Sequence, residues 1–333
     1  MQTEPITVDV GQQLIAARDR AERLKKMLRE SAIYLILAAL IVVASLASPV
    51  FLRGRNITNL LKQASLLGVV SVGQTFVILI GGIDLSVASV MALMSVLAAN
   101  LMGGQDGLVL PVVLLCLGIA TTIGLINGLM VTKLKIPAFI ATLGTILIVQ
   151  GIRFVYTGGA PKGSIPEALR FWGRGEVAGI PTALILWVII IIATVLLLRQ
   201  TTFGRQLYAV GGNPATSHLS GVSVNTIIVS AYMLCSFLAG VAGLMLTGYI
   251  GLADNWLGRG YELDSIAAVV VGGTLLEGGR GGVLGTVAGV LIMVILFNLV
   301  LLLNLDEETQ RIIKGLVIIG ALALYARLQN RDS

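Results

Sequence analysis

The sequence predicts an all-α fold: a polytopic membrane protein with about ten transmembrane helices, some of them broken or short. Its composition is the first reason, because 56% of the 333 residues are hydrophobic and 12% are charged. A soluble domain carries roughly 25% charged residues, so this apolar excess requires lipid rather than water around it. The 40 glycines are the second reason, because small residues let membrane helices approach closely.

Ten apolar runs follow one another along the chain and form the third reason. The third and eighth runs are short or interrupted by glycine, which makes them the candidates for broken helices. A polar loop at 157–181 separates the fifth run from the sixth. The runs lie at 31–48, 56–80, 84–100, 108–132, 137–156, 182–198, 224–249, 265–274, 283–303 and 311–327.

The runs divide the chain into two parts. Residues 1–30 predict a cytoplasmic N-terminal amphipathic helix, since apolar and charged positions alternate at helical spacing over 12–30. It either lies on the membrane surface or is a plain solvated helix. Residues 31–330 predict the transmembrane domain, with a cytoplasmic loop at 200–222.

The basic residues predict the orientation. They concentrate at 18–29 and in short loops such as those of Lys133 and Arg205, whereas acidic residues lie at 254–264 and 306–308. Basic loops stay on the cytoplasmic side of a membrane. We therefore expect both termini in the cytoplasm and the chain in a bacterial inner (plasma) membrane. This distribution accounts for the net charge of +6 without a nucleic-acid partner.

The sequence gives no sign of catalysis, a cofactor or a metal. Cys116 and Cys235 lie within apolar runs and have no Cys or His at metal-ligand spacing. The glycine-rich run at 271–282 does not match the phosphate-loop pattern Gly-x-x-x-x-Gly-Lys-Ser/Thr, so a tight turn between two spans is expected there. We expect no enzymatic activity and no cofactor.

Gly81-Gly82-Ile83-Asp84-Leu85-Ser86 breaks an apolar region. The paired glycines interrupt a helix, and Asp84 is placed to cap the next one by accepting its free backbone amides. A carboxylate at membrane depth requires partners or a wet cavity. Two interpretations stay open: a broken helix beside a transport path, or an interfacial cap that only fixes a helix start.

Two further motifs mark helix starts. In Lys135-Ile136-Pro137, the proline begins a helix, and the residues after it either line a path or, as we favour, pack against neighbours. In the loop 201–222, Asn213 caps a short helix, Pro214 occupies its first turn and Gly221 ends it. Such a capped helix is either a docking knob for a partner or a loop helix resting on the membrane.

Together these segments resemble the permease subunit of ribose-type carbohydrate ABC importers. The resemblance covers nearly all of the chain beyond its N-terminal helix. It rests on five motifs in order: Gly-Gly-Ile-Asp-Leu-Ser at 81–86, Ile-Pro-Ala-Phe-Ile-Ala-Thr-Leu-Gly at 136–144, Gly-Arg-x-x-Tyr-Ala-Val-Gly-Gly-Asn at 204–213, Ser-Gly-Val at 220–222, and Gly-Tyr-Glu-Leu-Asp-Ser-Ile-Ala-Ala-Val-Val-Val-Gly-Gly-Thr at 260–274. The sequence departs from the family pattern at Ala88, at Thr216-Ser217 and around Asn298, so ribose is not implied as the cargo.

The resemblance implies a function and its partners. The chain would carry a monosaccharide or related polyol, delivered by a periplasmic sugar-binding protein, into the cytoplasm. A second permease chain, identical or a close paralogue, would complete the conduit, and a cytoplasmic ABC ATPase subunit would hydrolyse ATP. The expected path residues are Gln74, Asp84, Ser86, Phe139, Thr142 and Asn298. The expected ATPase-coupling residues are Gly204, Arg205, Gly211, Gly212, Asn213, Pro214, Ala215, Ser220 and Gly221.

Two other classes of function were weighed against this one. An ion-coupled secondary transporter of a small polar solute would carry ionisable residues within its spans, and apart from Asp84 few are expected there. A membrane enzyme would need a cluster of His, Cys or paired carboxylates within the spans, and the sequence offers none.

Overall fold

The protein is described from a computed structural model, which places residues 33–306 together with 308, 309, 312, 313, 315, 316, 319 and 320. The all-α prediction is confirmed, since helices make up nearly all of the regular structure in this part of the chain. The first half contains α1 (Ile33–Ala47), α2 (Gly54–Leu79), α3 (Val87–Met102), α4 (Val109–Thr132, preceded by a 3-10 turn) and α5 (Ala138–Thr157).

The second half alternates long and short helices. It contains α6 (Glu167–Arg174), α7 (Thr182–Gln200), α8 (Thr202–Gly212), α9 (Pro214–Leu219), α10 (Val224–Ile250), α11 (Tyr261–Val271) and α12 (Val283–Leu302). A two-stranded antiparallel ribbon, β1 (Glu176–Val177) and β2 (Ile180–Pro181), lies between α6 and α7.

Six described helices are long and apolar enough to cross a membrane: α2, α4, α5, α7, α10 and α12. The helices α1 and α3 are apolar but shorter, and α11 spans 11 residues. The third and eighth predicted spans are short, as expected, but so is the first in its described part, and the predicted count of about ten spans is not confirmed. The predicted helix at 1–30 and most of the predicted span 311–327 lie outside the described residues.

The centre of the bundle is formed by α2 and α10. In α2, 89% of the most apolar window is buried within the chain, against 22% in α4 and 28% in α5 and α7. The helix α10 packs against α2, α3, α4 and α6. Outward-facing leucine, isoleucine and valine side chains on α4, α5 and α7 are the surface that a bilayer would cover.

The two ends of the bundle carry different structures. At one end, called the α8–α9 end, the C-termini of α2 and α8 meet the turn between α11 and α12. At the other, called the α6 end, residues 103–104, the segment 157–181 and the loop 251–260 meet. The sequence missed α6 within its predicted polar loop. The helix α6 packs on the C-terminal turn of α10, because Gly173 and Gly248 leave room for the two backbones to touch.

Candidate functional site

The break between α2 and α3 buries a carboxylate. Gly81 adopts a positive φ of 73°, which a residue with a Cβ tolerates poorly. The chain then turns back, and α3 begins at Val87. Asp84 is 0% exposed, and its Oδ1 accepts hydrogen bonds from the Ser86 amide at 2.8 Å and the Ser86 hydroxyl at 2.6 Å. Asp84 therefore fixes the turn that leads into α3, two residues before the position of the helix cap.

Gln74 on α2 braces the same turn. With the side-chain amide assigned so that each atom faces a complementary group, its nitrogen donates to the Asp84 carbonyl and its oxygen accepts from the Asp84 amide, both at 3.2 Å. This pairing replaces the helical hydrogen bonds that the break removes. Both backbone groups of Asp84 are thereby satisfied inside the bundle, where an unpaired backbone group is costly.

Side chains from three more helices extend this cluster. Asn127 on α4 donates to the Ser86 hydroxyl at 2.9 Å, and Thr145 on α5 donates to Asn127 at 2.6 Å. Ser236 on α10 lies 3.5 Å from Oδ2 of Asp84. All of these side chains are at most 6% exposed. The set Gln74, Asp84, Ser86, Asn127, Thr145 and Ser236 is hereafter called the Asp84 network.

The structure brings together only part of the predicted path. Gln74, Asp84 and Ser86 belong to the Asp84 network, and the Thr142 hydroxyl lies beside it, 3.5 Å from the Ile83 carbonyl. Phe139 is 54% exposed and points away from the bundle. Asn298 pairs with Asn56 through two amide hydrogen bonds of 3.0 and 2.9 Å. Asn56 precedes Gln74 by 18 residues on α2, a rise of about 27 Å.

Several buried polar residues were missed from the sequence. Asn127, Thr145 and Ser236 are single polar residues within apolar runs, and their isolation was the available signal. Arg153 is a charged residue inside the fifth predicted span, and it was not among the predicted functional residues. It is 3% exposed and donates from Nη1 to the Ser89 carbonyl at 3.2 Å.

The loop 201–222 contains the predicted capped helix. Asn213 caps α9, its Oδ1 accepting the Thr216 amide at 3.0 Å, and Pro214 is the first helical residue. Gly221 follows the helix with a φ of 81°, so all three predicted roles are confirmed. At the end of α9, the Leu219 side chain is 87% exposed. The sequence missed the preceding helix α8, which Thr201 caps by accepting the Gly204 amide at 3.2 Å.

Glycines join this loop to the bundle. The Gly279 amide donates to the Leu79 carbonyl at 2.9 Å. A Cβ on Gly211 would collide with that same carbonyl oxygen and with the Gly279 amide, and one on Gly278 would lie 2.7 Å from the Gly81 amide. Gly81, Gly211, Gly278 and Gly279 are hereafter called the glycine junction. It connects α8, the break after α2 and the turn before α12.

Tyr208 reinforces the junction from α8. Its hydroxyl donates to the Gly281 carbonyl at 3.0 Å. Burial raises the pKa of the Tyr208 phenol, so the hydroxyl keeps the proton that it donates.

The predicted coupling residues fall into two groups. Gly204 and Gly211 pack inside the chain, where a side chain would strike neighbouring backbone. Arg205, Asn213, Ala215 and Ser220 are exposed, as are Gly212, Pro214 and Gly221. The exposed group and Leu219 belong to α8, α9 and the residues that join or follow them.

Comparison with known proteins adds the family. Residues 56–322 match the family described as branched-chain amino acid transport system / permease component. The chain belongs to this permease family. No solved structure matches the chain.

Named relatives match over most of this permease. It is 44% identical to the ribose import permease protein of Haemophilus influenzae, covering 89% of this chain and 93% of the relative. It is 42% identical to the ribose import permease protein of Bacillus subtilis, over 87% and 91%. The galactose/methyl galactoside import permease protein of Escherichia coli is 36% identical, over 90% and 96%. The resemblance to permeases of ribose-type ABC importers is confirmed, and the permease is a multi-pass inner membrane protein.

Proposed function

We propose that this permease is the membrane-spanning subunit of an ATP-driven ABC importer that moves a monosaccharide, a ribose-like pentose or a hexose, or a related polyol into the cytoplasm. The observation that carries the proposal is the likeness over about nine-tenths of the chain to permeases named for ribose and galactose. The family description names branched-chain amino acids, but the relatives matched over almost their whole length are named for sugars.

The Asp84 network supports a path beside the break. The hydrogen bonds of this network, with a buried carboxylate at its centre, join α2, α3, α4 and α10 in a defined arrangement. Motion of one of these helices relative to the others would break hydrogen bonds and leave buried polar groups unpaired, which is costly. The helices around the network therefore move together or do not move. We place Gln74, Asp84, Ser86 and Thr142 beside the route of the sugar, as positioning groups.

The exposed surface of α9 supports an ATPase partner. The Leu219 side chain at the end of α9 is 87% exposed and stabilises nothing while it faces water. Burial in an apolar pocket of a partner would stabilise the complex. The sequence contains no phosphate loop of its own. ATP hydrolysis is therefore assigned to a separate cytoplasmic ABC ATPase subunit that receives α9, and the α8–α9 end faces the cytoplasm.

The remaining partners follow from the opposite end. A periplasmic sugar-binding protein would dock on the α6 end and deliver the cargo there. A second permease chain, identical or a close paralogue, would cover part of the apolar outer face and complete the conduit.

The cargo class is tested by reconstitution. The permease, its ATPase and the binding protein encoded beside it are placed in proteoliposomes, and uptake of labelled ribose, galactose and leucine is measured with ATP. We expect uptake of at least one sugar and none of leucine. Uptake of leucine alone would overturn the sugar assignment.

A further inference from the structure

A cleft of about 330 Å³ opens at the α6 end of the bundle. Its walls come from α3, α5, the loop after α10 and the start of α11. None of the residues that line it was predicted as a path residue. The polar ones used below are Ser89, Gln150, Arg153, Asn255, Trp256 and Glu262.

Two buried polar atoms in the cleft wall lack partners within the described part of the chain. Arg153 is 3% exposed, and its Nη1 is bonded to Ser89 while its Nε is not bonded. Asn255 is also 3% exposed. Its Nδ2 donates to the Thr157 hydroxyl and the Gly159 carbonyl, both at 3.2 Å, and its Oδ1 is unpaired. An unpaired buried donor and an unpaired buried acceptor are both costly, so the wall suits a ligand that both accepts and donates.

The charges around the cleft compensate one another. Arg153 and Arg259 are balanced by Glu262 in the wall and by Asp254, which interacts electrostatically with Arg153. A neutral ligand fits this balance better than an anion. A sugar hydroxyl supplies both functions, because it accepts from an N–H and donates to an amide oxygen.

A fixed aromatic ring completes the wall. Trp256 packs edge-on against Phe154, with ring centroids 5.5 Å apart, and the Arg259 guanidinium lies 5.3 Å from the centre of its ring. The indole is still 50% exposed. It presents a flat apolar surface beside the polar groups, an arrangement typical of small-molecule sites.

The floor of the cleft leads to the Asp84 network. The Ser89 hydroxyl donates to the Ile146 carbonyl at 3.3 Å, and both residues line the cleft. Ser89 follows Ser86 by one helical turn on α3, and Ile146 directly follows Thr145 on α5. A ligand in the cleft therefore lies one turn away from the Asp84 network.

We propose that this cleft is a binding site for a single neutral monosaccharide, occupied between delivery at the α6 end and passage beyond the Asp84 network. The inference rests on the proposed function and deepens it. The volume is at the lower end of the roughly 300–1,000 Å³ usual for ligand pockets, which suits one sugar ring rather than an oligosaccharide. Few direct contacts give weak affinity, in the millimolar range.

The test measures binding to the full-length permease in lipid nanodiscs. Ribose, galactose and gluconate are titrated by saturation-transfer NMR and by tryptophan fluorescence, with Trp256→Phe identifying the responding indole. We expect saturable millimolar binding of at least one neutral sugar, weaker binding of gluconate, and a fluorescence change that Trp256→Phe abolishes. Gln150→Met, which keeps the side-chain length, should weaken binding roughly five- to tenfold, as for the loss of one hydrogen bond.

The matched control is Gln105→Met, since Gln105 is exposed at the same end of the bundle but lies outside the cleft. It should bind as the unchanged chain does. Absence of saturable sugar binding, equal effects of the two substitutions, or tighter binding of gluconate would each overturn the assignment. ATP-driven sugar uptake measured in parallel separates the two proposals: uptake without cleft binding removes only this inference, whereas absence of uptake removes the proposed function.

Discussion

At the scale of single residues, the central feature is a buried carboxylate that is fully engaged. Asp84 satisfies the Ser86 amide and hydroxyl, and Ser86 in turn accepts from Asn127. A carboxylate excluded from water is tolerated in a membrane protein only with such partners. Asp84 thus holds the turn into α3 in one conformation.

Replacing Asp84 tests that role. Asp84→Ala leaves two donors on Ser86 unpaired, each costing about 1–3 kcal/mol, so thermal unfolding in detergent should occur at a clearly lower temperature. Asp84→Asn retains an acceptor oxygen and should be milder. Asp106→Ala removes an exposed carboxylate that accepts the Ala168 amide and should cost roughly 0.5 kcal/mol or less. Equal unfolding temperatures for Asp84→Ala and Asp106→Ala would contradict the account.

Asp84 was predictable from the sequence, and its partners were not. The paired glycines and the adjacent carboxylate form a local signal within six residues. Asn127 reaches Ser86, and Ser236 reaches Asp84, only because α4 and α10 pack beside the break. The periodicity of one sequence does not show which helices pack together. Asn298 shows the same limit, since its partner Asn56 is 242 positions away.

At the scale of elements, the glycine junction links the loop 201–222 to the break after α2. Backbone lies directly against backbone there, with no side chain between Gly211 and Leu79. Motion of α8 is therefore transmitted to α2 and to the turn before α12 without the slack that flexible side chains would introduce.

Substitutions at Gly211 and Gly212 distinguish a residue that packs inside the permease from one that is free to contact a partner. Gly211→Ala places a methyl group against the Leu79 carbonyl and should lower the unfolding temperature of the isolated permease. Gly212 has open space around it, so Gly212→Ala should change the free energy of unfolding by about 0.5 kcal/mol or less and leave the unfolding temperature nearly unchanged.

Gly212, which is exposed at the end of α8 next to α9, also allows a test of the proposed docking surface. Gly212→Leu should not lower the unfolding temperature of the permease alone, but it should reduce the uptake obtained per ATP hydrolysed once the ATPase is added, because it enlarges the surface that docks. Both quantities are measured on the same preparation. Unchanged uptake per ATP would remove Gly212 from the docking surface.

Short elements were the least predictable part of the fold. The caps of α9 were predicted because Asn-Pro and Gly carry their own conformational preferences. The helices α6 and α8 lie in segments without the long apolar runs that identify spans, and α6 is held by contact with α10 through Gly173 and Gly248. Such contact leaves only a weak trace in the local sequence.

At the scale of the whole molecule, the two ends of the bundle carry different structures, and the proposed orientation is tested by labelling each end. Cys116 and Cys235 are both fully buried and should be inert to a membrane-impermeant thiol reagent. New cysteines at exposed positions therefore report sidedness directly. Leu219→Cys should react only from the cytoplasmic side and Gln105→Cys only from the opposite side. The reverse labelling pattern would show that the α6 end, not the α8–α9 end, faces the cytoplasm.

The most direct test of the account is the energy source for transport. Proteoliposomes containing the permease, with its ATPase and binding protein, are assayed for sugar uptake with ATP, without ATP, and with an imposed proton or sodium gradient in place of ATP. We predict uptake only when ATP and the ATPase are both present, unaffected by either gradient. Uptake driven by an ion gradient in the absence of ATP would contradict the account and identify an ion-coupled transporter.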